Sequence, residues 1–185
     1  IDTTKAVSKN DLVQLITAEA SKGAVSGGIK SLFLTTAKMG TQALLPLDDF
    51  FSTLELTAPG SLVRSLSKTY MIGTYEPLRA TTHASLDDKN TEVKKEPHVF
   101  IILTTKEYPL VFAGMLSWEK TLLDDMFTLF HIDVSGDRSS LFEKPFKDII
   151  VANKDARILY DQAGHDLLYY IFADKNTCII SDSPD

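Results

Sequence analysis

Residues able to do chemistry are present in this chain, but their spacing assembles no recognisable centre. Four histidines, His83, His98, His131 and His165, lie far apart. None has the His-x-x-His or His-Glu-x-x-His spacing that places two imidazoles on one metal. No metal and no cofactor are expected. The carboxylate pairs Asp48-Asp49, Asp87-Asp88 and Asp124-Asp125 are sequence neighbours. Neighbours point apart on a helix, so such pairs suit neither a shared proton nor a shared cation. Asp48 and Asp49 fit a helix first turn, where the dipole favours acids. The run Asp133 to Ser139 alternates oxygen-bearing side chains around Gly136, as a calcium loop does. Counted from Asp133, however, Ser135, Arg138 and Lys144 take the places that need an acid or amide, a glycine and an acid.

Gly23, Gly27 and Gly28 are not followed by Gly-Lys-Ser/Thr, which speaks against a phosphate cradle. No serine stands in a Gly-x-Ser-x-Gly elbow. Members of a catalytic triad need not be neighbours in sequence. One enzymatic reading therefore stays open: a hydrolase or transferase whose site gathers His131, Ser135, Asp137 and His165. Cys178 is the single cysteine, which rules out an intramolecular disulfide and a thiolate cluster. Between Thr177 and Ile179 it reads as a small buried hydrophobe rather than a nucleophile.

The elements that would position these groups follow from periodicity. Ser8 with Asp11 marks a helix start, and Leu12, Val13, Leu15, Ile16 and Ala20 recur at helical spacing up to Gly23. Residues 29–36 are β-rich and predict a strand. Pro46 and Pro59 suit the first turns of two short helices within a bent segment, 46–66. Strands are predicted at 70–76 and 98–104, joined by a long exposed hairpin loop, 77–97. Interior Gly73 suggests a bulge or a close backbone approach.

Pro109 opens the strongest helical pattern, 108–130. Val111, Met115, Trp118, Leu122, Met126 and Leu129 make one apolar stripe, and Phe112, Leu116, Leu123, Phe127 and Phe130 make a second beside it. So wide an arc predicts the best-buried helix of the molecule. After a polar linker, 133–145, four β-like runs at 146–152, 156–161, 167–173 and 177–181 are separated by turn residues. An antiparallel meander is expected.

The order β-α-β-β-α-β across 29–152 is that of a split-βαβ, ferredoxin-like core. The expectation is an α+β fold with a mostly antiparallel sheet, helices on one face and the C-terminal meander extending it. Residues 1–28 form an N-terminal helix and connector, and 29–185 a single domain. At 185 residues and 44% hydrophobic content the chain can bury a sizeable core. Lys+Arg 19 against Asp+Glu 25 gives a net charge of −6, which argues against a general nucleic-acid binder. The longest apolar run, Leu167 to Ala173, is far short of the roughly 20 residues a spanning helix needs, which predicts a soluble piece. A start at Ile1 rather than Met suggests a part of something longer.

Strand 167–173 is apolar on both faces. Leu168, Tyr170 and Phe172 either lie under helices or form an interaction surface for a protein partner or a second copy.

Four blocks carry a resemblance: Ala58-Pro59-Gly60-Ser61-Leu62-Val63-Arg64-Ser65-Leu66, Phe112-Ala113-Gly114-Met115-Leu116-Ser117-Trp118-Glu119, Val151-Ala152-Asn153-Lys154-Asp155-Ala156-Arg157 and Lys175-Asn176-Thr177. Over roughly residues 45–181 the chain resembles membrane-anchored proteins of the candidate-phyla-radiation bacteria, in which a similar domain follows an N-terminal membrane segment. The resemblance implies an extracytoplasmic, envelope-facing domain attached to the membrane only through an anchor upstream of Ile1. It brings no catalytic residues. With no catalytic constellation in the sequence, the leading expectation is a non-enzymatic interaction or assembly module. The alternatives are the dispersed hydrolase site and a small-ligand sensor whose pocket lies between the sheet and the Trp118 helix.

Overall fold

The computed structural model describes residues 1–5, 8–22, 27–38, 40–76, 98–130, 132, 145–161 and 164–182. The hairpin loop expected at 77–97 and the linker at 133–144 lie outside them. Helix α1 (Lys9–Ala20) begins where its cap residue sits. Ser8 Oγ accepts from the Asp11 backbone N–H at 3.2 Å and donates to Asp11 Oδ2 at 2.8 Å. Leu12, Val13 and Ile16 of α1 are buried in the same cluster as the sheet and the other helices. Pro46 and Pro59 stand at the N-caps of α2 (Leu47–Thr53) and α3 (Gly60–Ser65), and Pro109 lies in the first turn of α4 (Tyr108–Phe127).

The predicted strand at 29–36 is two strands. β1 (Ile29–Leu32) joins the main sheet, whereas β2 (Thr35–Lys38) pairs with β3 (Thr41–Leu44) in a separate hairpin. The division has a backbone cause. The Ile1 backbone nitrogen donates to Phe33 O, Thr35 N–H donates to Ile1 O, and Thr3 N–H donates to Thr35 O. With residues 33–35 claimed by the first three residues, the chain leaves the sheet after Leu32. The hairpin itself had a signal, the alternating Thr35 to Leu44 run with Gly40, whose φ of +79° suits its turn.

β4 (Leu66–Tyr75), β5 (His98–Thr105), β6 (Lys147–Val151), β7 (Lys154–Tyr160), β8 (Asp166–Asp174) and β9 (Thr177–Ser181) complete an antiparallel sheet of seven strands in the order β1-β4-β5-β9-β8-β7-β6. The fold is α+β, as expected. The ferredoxin-like strand order is not what the hydrogen bonds form. A split βαβ leaves room for a strand between β1 and β4 and places β6 beside β1. Here β1 pairs directly with β4, and β6 lies at the opposite edge. Burial explains the choice: Cys178 and Ile180 of β9 are completely buried, so β9 takes the place beside β5, while Ile150 of β6 is 75% exposed.

All four helices bury apolar residues in one cluster with Leu32, Ile72, Ile101, Leu103, Leu168 and Ile180, so they cover one sheet face. Ala156, Ile158, Tyr169 and Ile171 form a smaller cluster on the other face. On that face Phe100 also lies across Gly73. A Cβ on Gly73 would stand 2.3 Å from Phe100 Cζ and 3.0 Å from the Lys30 carbonyl oxygen. The interior glycine is a close approach, and the register irregularity falls earlier in β4, between Leu66 and Tyr70. Gly73→Ala is expected to lower stability by about 1–3 kcal/mol, because the ring must leave a site flanked by backbone. Urea unfolding reads the change, and an unchanged midpoint would show that the ring moves freely.

Candidate functional site

Helix α4 has a wide apolar arc, and the sheet covers only part of it. Val111, Met115, Trp118, Leu122 and Met126 are buried. In the second stripe Leu123 is buried, but Phe112 and Leu116 remain 38% and 37% exposed. The expectation of a helix buried on both stripes thus fails in its N-terminal half. A groove of about 650 Å³ opens there. Tyr108 and Phe112 line the helix side, Tyr170 and Phe172 of β8 lie beneath, and Asp148, Ile150, Asp155 and Arg157 of β6 and β7 form the far side. Asp148 pairs with Arg157, and Arg157 with Tyr170, so the three side chains share one face.

The aromatic side is a packed cluster. Tyr108 meets Phe172 edge-on at 5.1 Å between ring centroids, and Phe112 lies 5.6 Å from Phe172. The polar side is a hydrogen-bonded charge network. Arg157 Nε and Nη2 each donate at 2.8 Å to one oxygen of Glu119, and Nη1 donates to Asp148 Oδ1 at 2.7 Å. Tyr170 donates its hydroxyl to Glu119 Oε1 at 2.7 Å. The bonds to Glu119 hold the Arg157 guanidinium above its ordinary range against the effect of burial. Burial, and then Glu119, push the Tyr170 phenol up, so it remains a donor.

The two contacts of Arg157 differ in weight. Glu119 is mostly buried and bidentate, whereas the Asp148 side chain is 88% exposed. Arg157→Leu should lower stability by about 1.5–3 kcal/mol, because Glu119 keeps only the Tyr170 donor. Asp148→Ala should stay within about 0.5 kcal/mol, as exposed pairs do. Equal losses for the two variants in chemical denaturation would contradict this division.

The structure places the other sequence candidates elsewhere. Leu168, Tyr170 and Phe172 are 0%, 1% and 9% exposed and face the helices. They are no open interaction surface: α4 covers them, and only the edges of Tyr170 and Phe172 reach the groove. Trp118 is buried, meets Phe51 at a tilt with ring centroids 5.7 Å apart, and donates from Nε1 to Asp125 Oδ2 at 2.6 Å. The space around Trp118 itself is filled; the groove between the Trp118 helix and the sheet opens nearer the start of α4. Cys178 is fully buried and burial pushes its thiol up, far from a thiolate nucleophile.

Of the dispersed hydrolase set, only His165 lies within the described residues. Its exposed ring places Nδ1 2.9 Å from Asp161 Oδ2 across the β7–β8 turn. His83, His131, Ser135, Asp137, the Asp87-Asp88 pair and the calcium-like run at 133–139 lie outside the described residues. His98 Nδ1 is 3.2 Å from Asp182 Oδ1, at the far end of β5. Among the described residues no three His, Cys, Asp or Glu side chains are grouped to hold a metal.

A second cavity, about 320 Å³, lies between the β2–β3 hairpin and β4, with Phe33 and Leu44 exposed beside it. Tyr70 Oη is buried with no hydrogen-bond partner among the described residues. The groove beside α4 joins apolar surface to accessible charge and is the stronger site.

Periodicity missed the residues that define this groove. Arg157 stands alone between Ala156 and Ile158 in an apolar strand, and Glu119 is a single acid next to Trp118. A charge set beside large apolar residues was the available signal, weakened by Lys120 next to Glu119 and by Lys154 and Asp155 at the start of β7. Compared with known proteins, the chain matches no family model, no curated protein and no solved structure. The chemistry of the groove is read from its own geometry.

Proposed function

We propose that this chain is a non-enzymatic interaction or assembly module of a membrane-anchored cell-envelope protein, exposed outside the cytoplasmic membrane, and that it binds through the groove beside α4. The observation supporting binding is the apolar surface gathered there: Phe112 and Ile150 line the groove, and Leu116 lies one turn along α4 from Phe112. Exposed apolar side chains scattered singly need no explanation, but a group around a concave site marks a contact surface. The groove's described lining holds no serine, cysteine or histidine, so no Ser–His or Cys–His pair is set there. A protein partner or a second copy suits the net charge of −6 better than nucleic acid does.

The location rests on the resemblance in the blocks 58–66, 112–119, 151–157 and 175–177. Among the described residues no helix is long and apolar enough to cross a membrane. A tether upstream of Ile1 is what the resemblance implies.

Photo-crosslinking in cells tests the reading, with a reactive side chain placed in the full-length protein at Phe112, at Ile150 or, as a control, at Lys175 in the β8–β9 turn. The two groove positions should capture the same partner and the control should not. A reporter fused after residue 185 should be active only outside the cytoplasmic membrane. Equal capture from Lys175, or a reporter active only in the cytoplasm, would refute the corresponding part. A small-ligand sensor is the second reading, favoured by a groove volume within the usual ligand range. A metabolite that raises the melting temperature while blocking both crosslinks would select it.

A further inference from the structure

The charge balance of the groove narrows the partner's chemistry. Arg157 lines the groove, yet its charge is engaged: both Glu119 oxygens accept from it, and Tyr170 fixes Glu119 in turn. Of the other charged side chains in the described lining, Asp148 accepts from Arg157 Nη1 at 2.7 Å but stays 88% exposed, and Asp155 and Lys154 are exposed. Counting Glu119 and Arg157 as well, three acids face two bases, a local charge of −1 within a chain of −6. An anionic occupant would meet Asp148 and Asp155, with Lys154 the cation of the described lining that lies outside the Arg157–Glu119 pair.

We infer that the groove takes a basic, apolar peptide segment of a partner protein, with a large aliphatic or aromatic side chain seated on Phe112 and Phe172 and a flanking lysine or arginine held by Asp148 and Asp155. The inference rests on the groove being the binding surface proposed above. Three observations favour a segment of chain. Ile150 is 75% exposed on the outermost described strand, so apolar surface continues from the groove to the sheet edge, beyond what a groove-filling small molecule would cover. The aromatic cluster is already packed ring on ring, which offers a surface to lie against rather than a slot for one planar ligand. Exposed carboxylates beside apolar surface suit long cationic side chains, whose methylene stems lie on apolar groups while the charge reaches the acid. A cation passing over Tyr108 or Phe112 gains a further attraction from the ring face.

Three synthetic peptides of equal length test this with the whole chain: alternating lysine and leucine, alternating glutamate and leucine, and alternating lysine and serine. The lysine–leucine peptide should bind and shift the amide resonances of Phe112, Ile150 and Arg157. The other two should bind at least about tenfold more weakly, since each lacks one of the two complementary features. The double variant Asp148→Asn, Asp155→Asn, both positions exposed, should weaken the lysine–leucine peptide by about 5- to 20-fold. High salt should act in the same direction.

Equal binding of the glutamate–leucine peptide in the groove would overturn the basic partner while leaving the groove as a binding surface. Lysine–leucine binding that ignores the double variant, or that shifts resonances elsewhere, would also overturn the inference, as would the absence of binding by all three peptides. Loss of groove-specific crosslinking in cells, by contrast, would remove the underlying reading as well.

Discussion

Replacing Asp125 by leucine should lower the unfolding free energy by about 2–4 kcal/mol, the largest effect expected of a single polar side chain here. Asp125 is buried, and its Oδ2 accepts from Trp118 Nε1 at 2.6 Å, from the Thr57 backbone N–H at 2.8 Å and from Thr57 Oγ1 at 3.0 Å. Hydrogen bonds to a charged acceptor contribute roughly 1.5–3 kcal/mol each, but they are not additive when they share one atom. Thr57 is exposed, so water can take over its donors. The indole N–H of Trp118 is buried and cannot be rescued in that way. Asp125→Asn keeps an acceptor oxygen in place and should lose only about 1 kcal/mol. Urea unfolding followed by Trp118 fluorescence checks both variants. A leucine variant no less stable than the asparagine variant would mean that the indole donor is not stranded.

The consequence reaches beyond the bond itself. Thr57 lies in the connection between α2 and α3, where Glu55 adopts a φ of +56°. Asp125 ties this connection to the C-terminal part of α4. The same helix carries Phe112 and Glu119 at the groove.

Gly114→Ala is expected to cost about 1–3 kcal/mol, although glycine-to-alanine changes within helices ordinarily stabilise. In an exposed helix interior alanine is favoured by about 1 kcal/mol. At Gly114 the added Cβ would stand 2.7 Å from Leu62 Cβ and 3.1 Å from Leu62 Cα. Both Leu62 atoms belong to or adjoin the α3 backbone, so a rotamer change cannot relieve the contact. The two helices must separate, and overpacking a dense interior outweighs the propensity gain. Leu62→Ala keeps the same Cβ and Cα. The double variant should therefore show the cost of Gly114→Ala undiminished beyond the loss from Leu62→Ala itself, measured as a double-mutant cycle in urea. If Leu62→Ala erases the cost of Gly114→Ala, the clash lies with the leucine tip and the close helix approach is not what Gly114 serves.

Both cases concern residues whose role depends on what lies opposite. In the sequence Asp125 is one of two adjacent acids that point apart, and Gly114 sits inside a strong helical pattern with no signal of its own. Thr57 and Leu62 come into reach only when α3 and the connection before it settle on α4, whereas Trp118 stands two turns before Asp125 on α4 itself. The same holds for the groove. Phe112 and Leu116 belong to a continuous apolar stripe with Leu123, and no local pattern distinguishes the end left open from the end that is covered.

Local chemistry by itself determined most of the elements. The Ser8–Asp11 cap, the prolines at 46, 59 and 109, the apolar stripes of α4 and the turn residues between the C-terminal strands specify nearly every helix and strand, because capping, fixed φ and side-chain period act over a few residues. They also determined the α+β class. Tertiary structure decided which strands lie side by side, because strand order is set by long-range burial: β9 enters beside β5 with Cys178 and Ile180 buried, and β6 goes to the edge. It decided that residues 29–36 divide, since the bonds that separate them come from Ile1 and Thr3. It turned Leu168, Tyr170 and Phe172 inward and brought Arg157 of β7 to Glu119 of α4. That contact spans 38 positions in sequence, a distance over which side-chain periodicity carries no information and packing alone selects the partner.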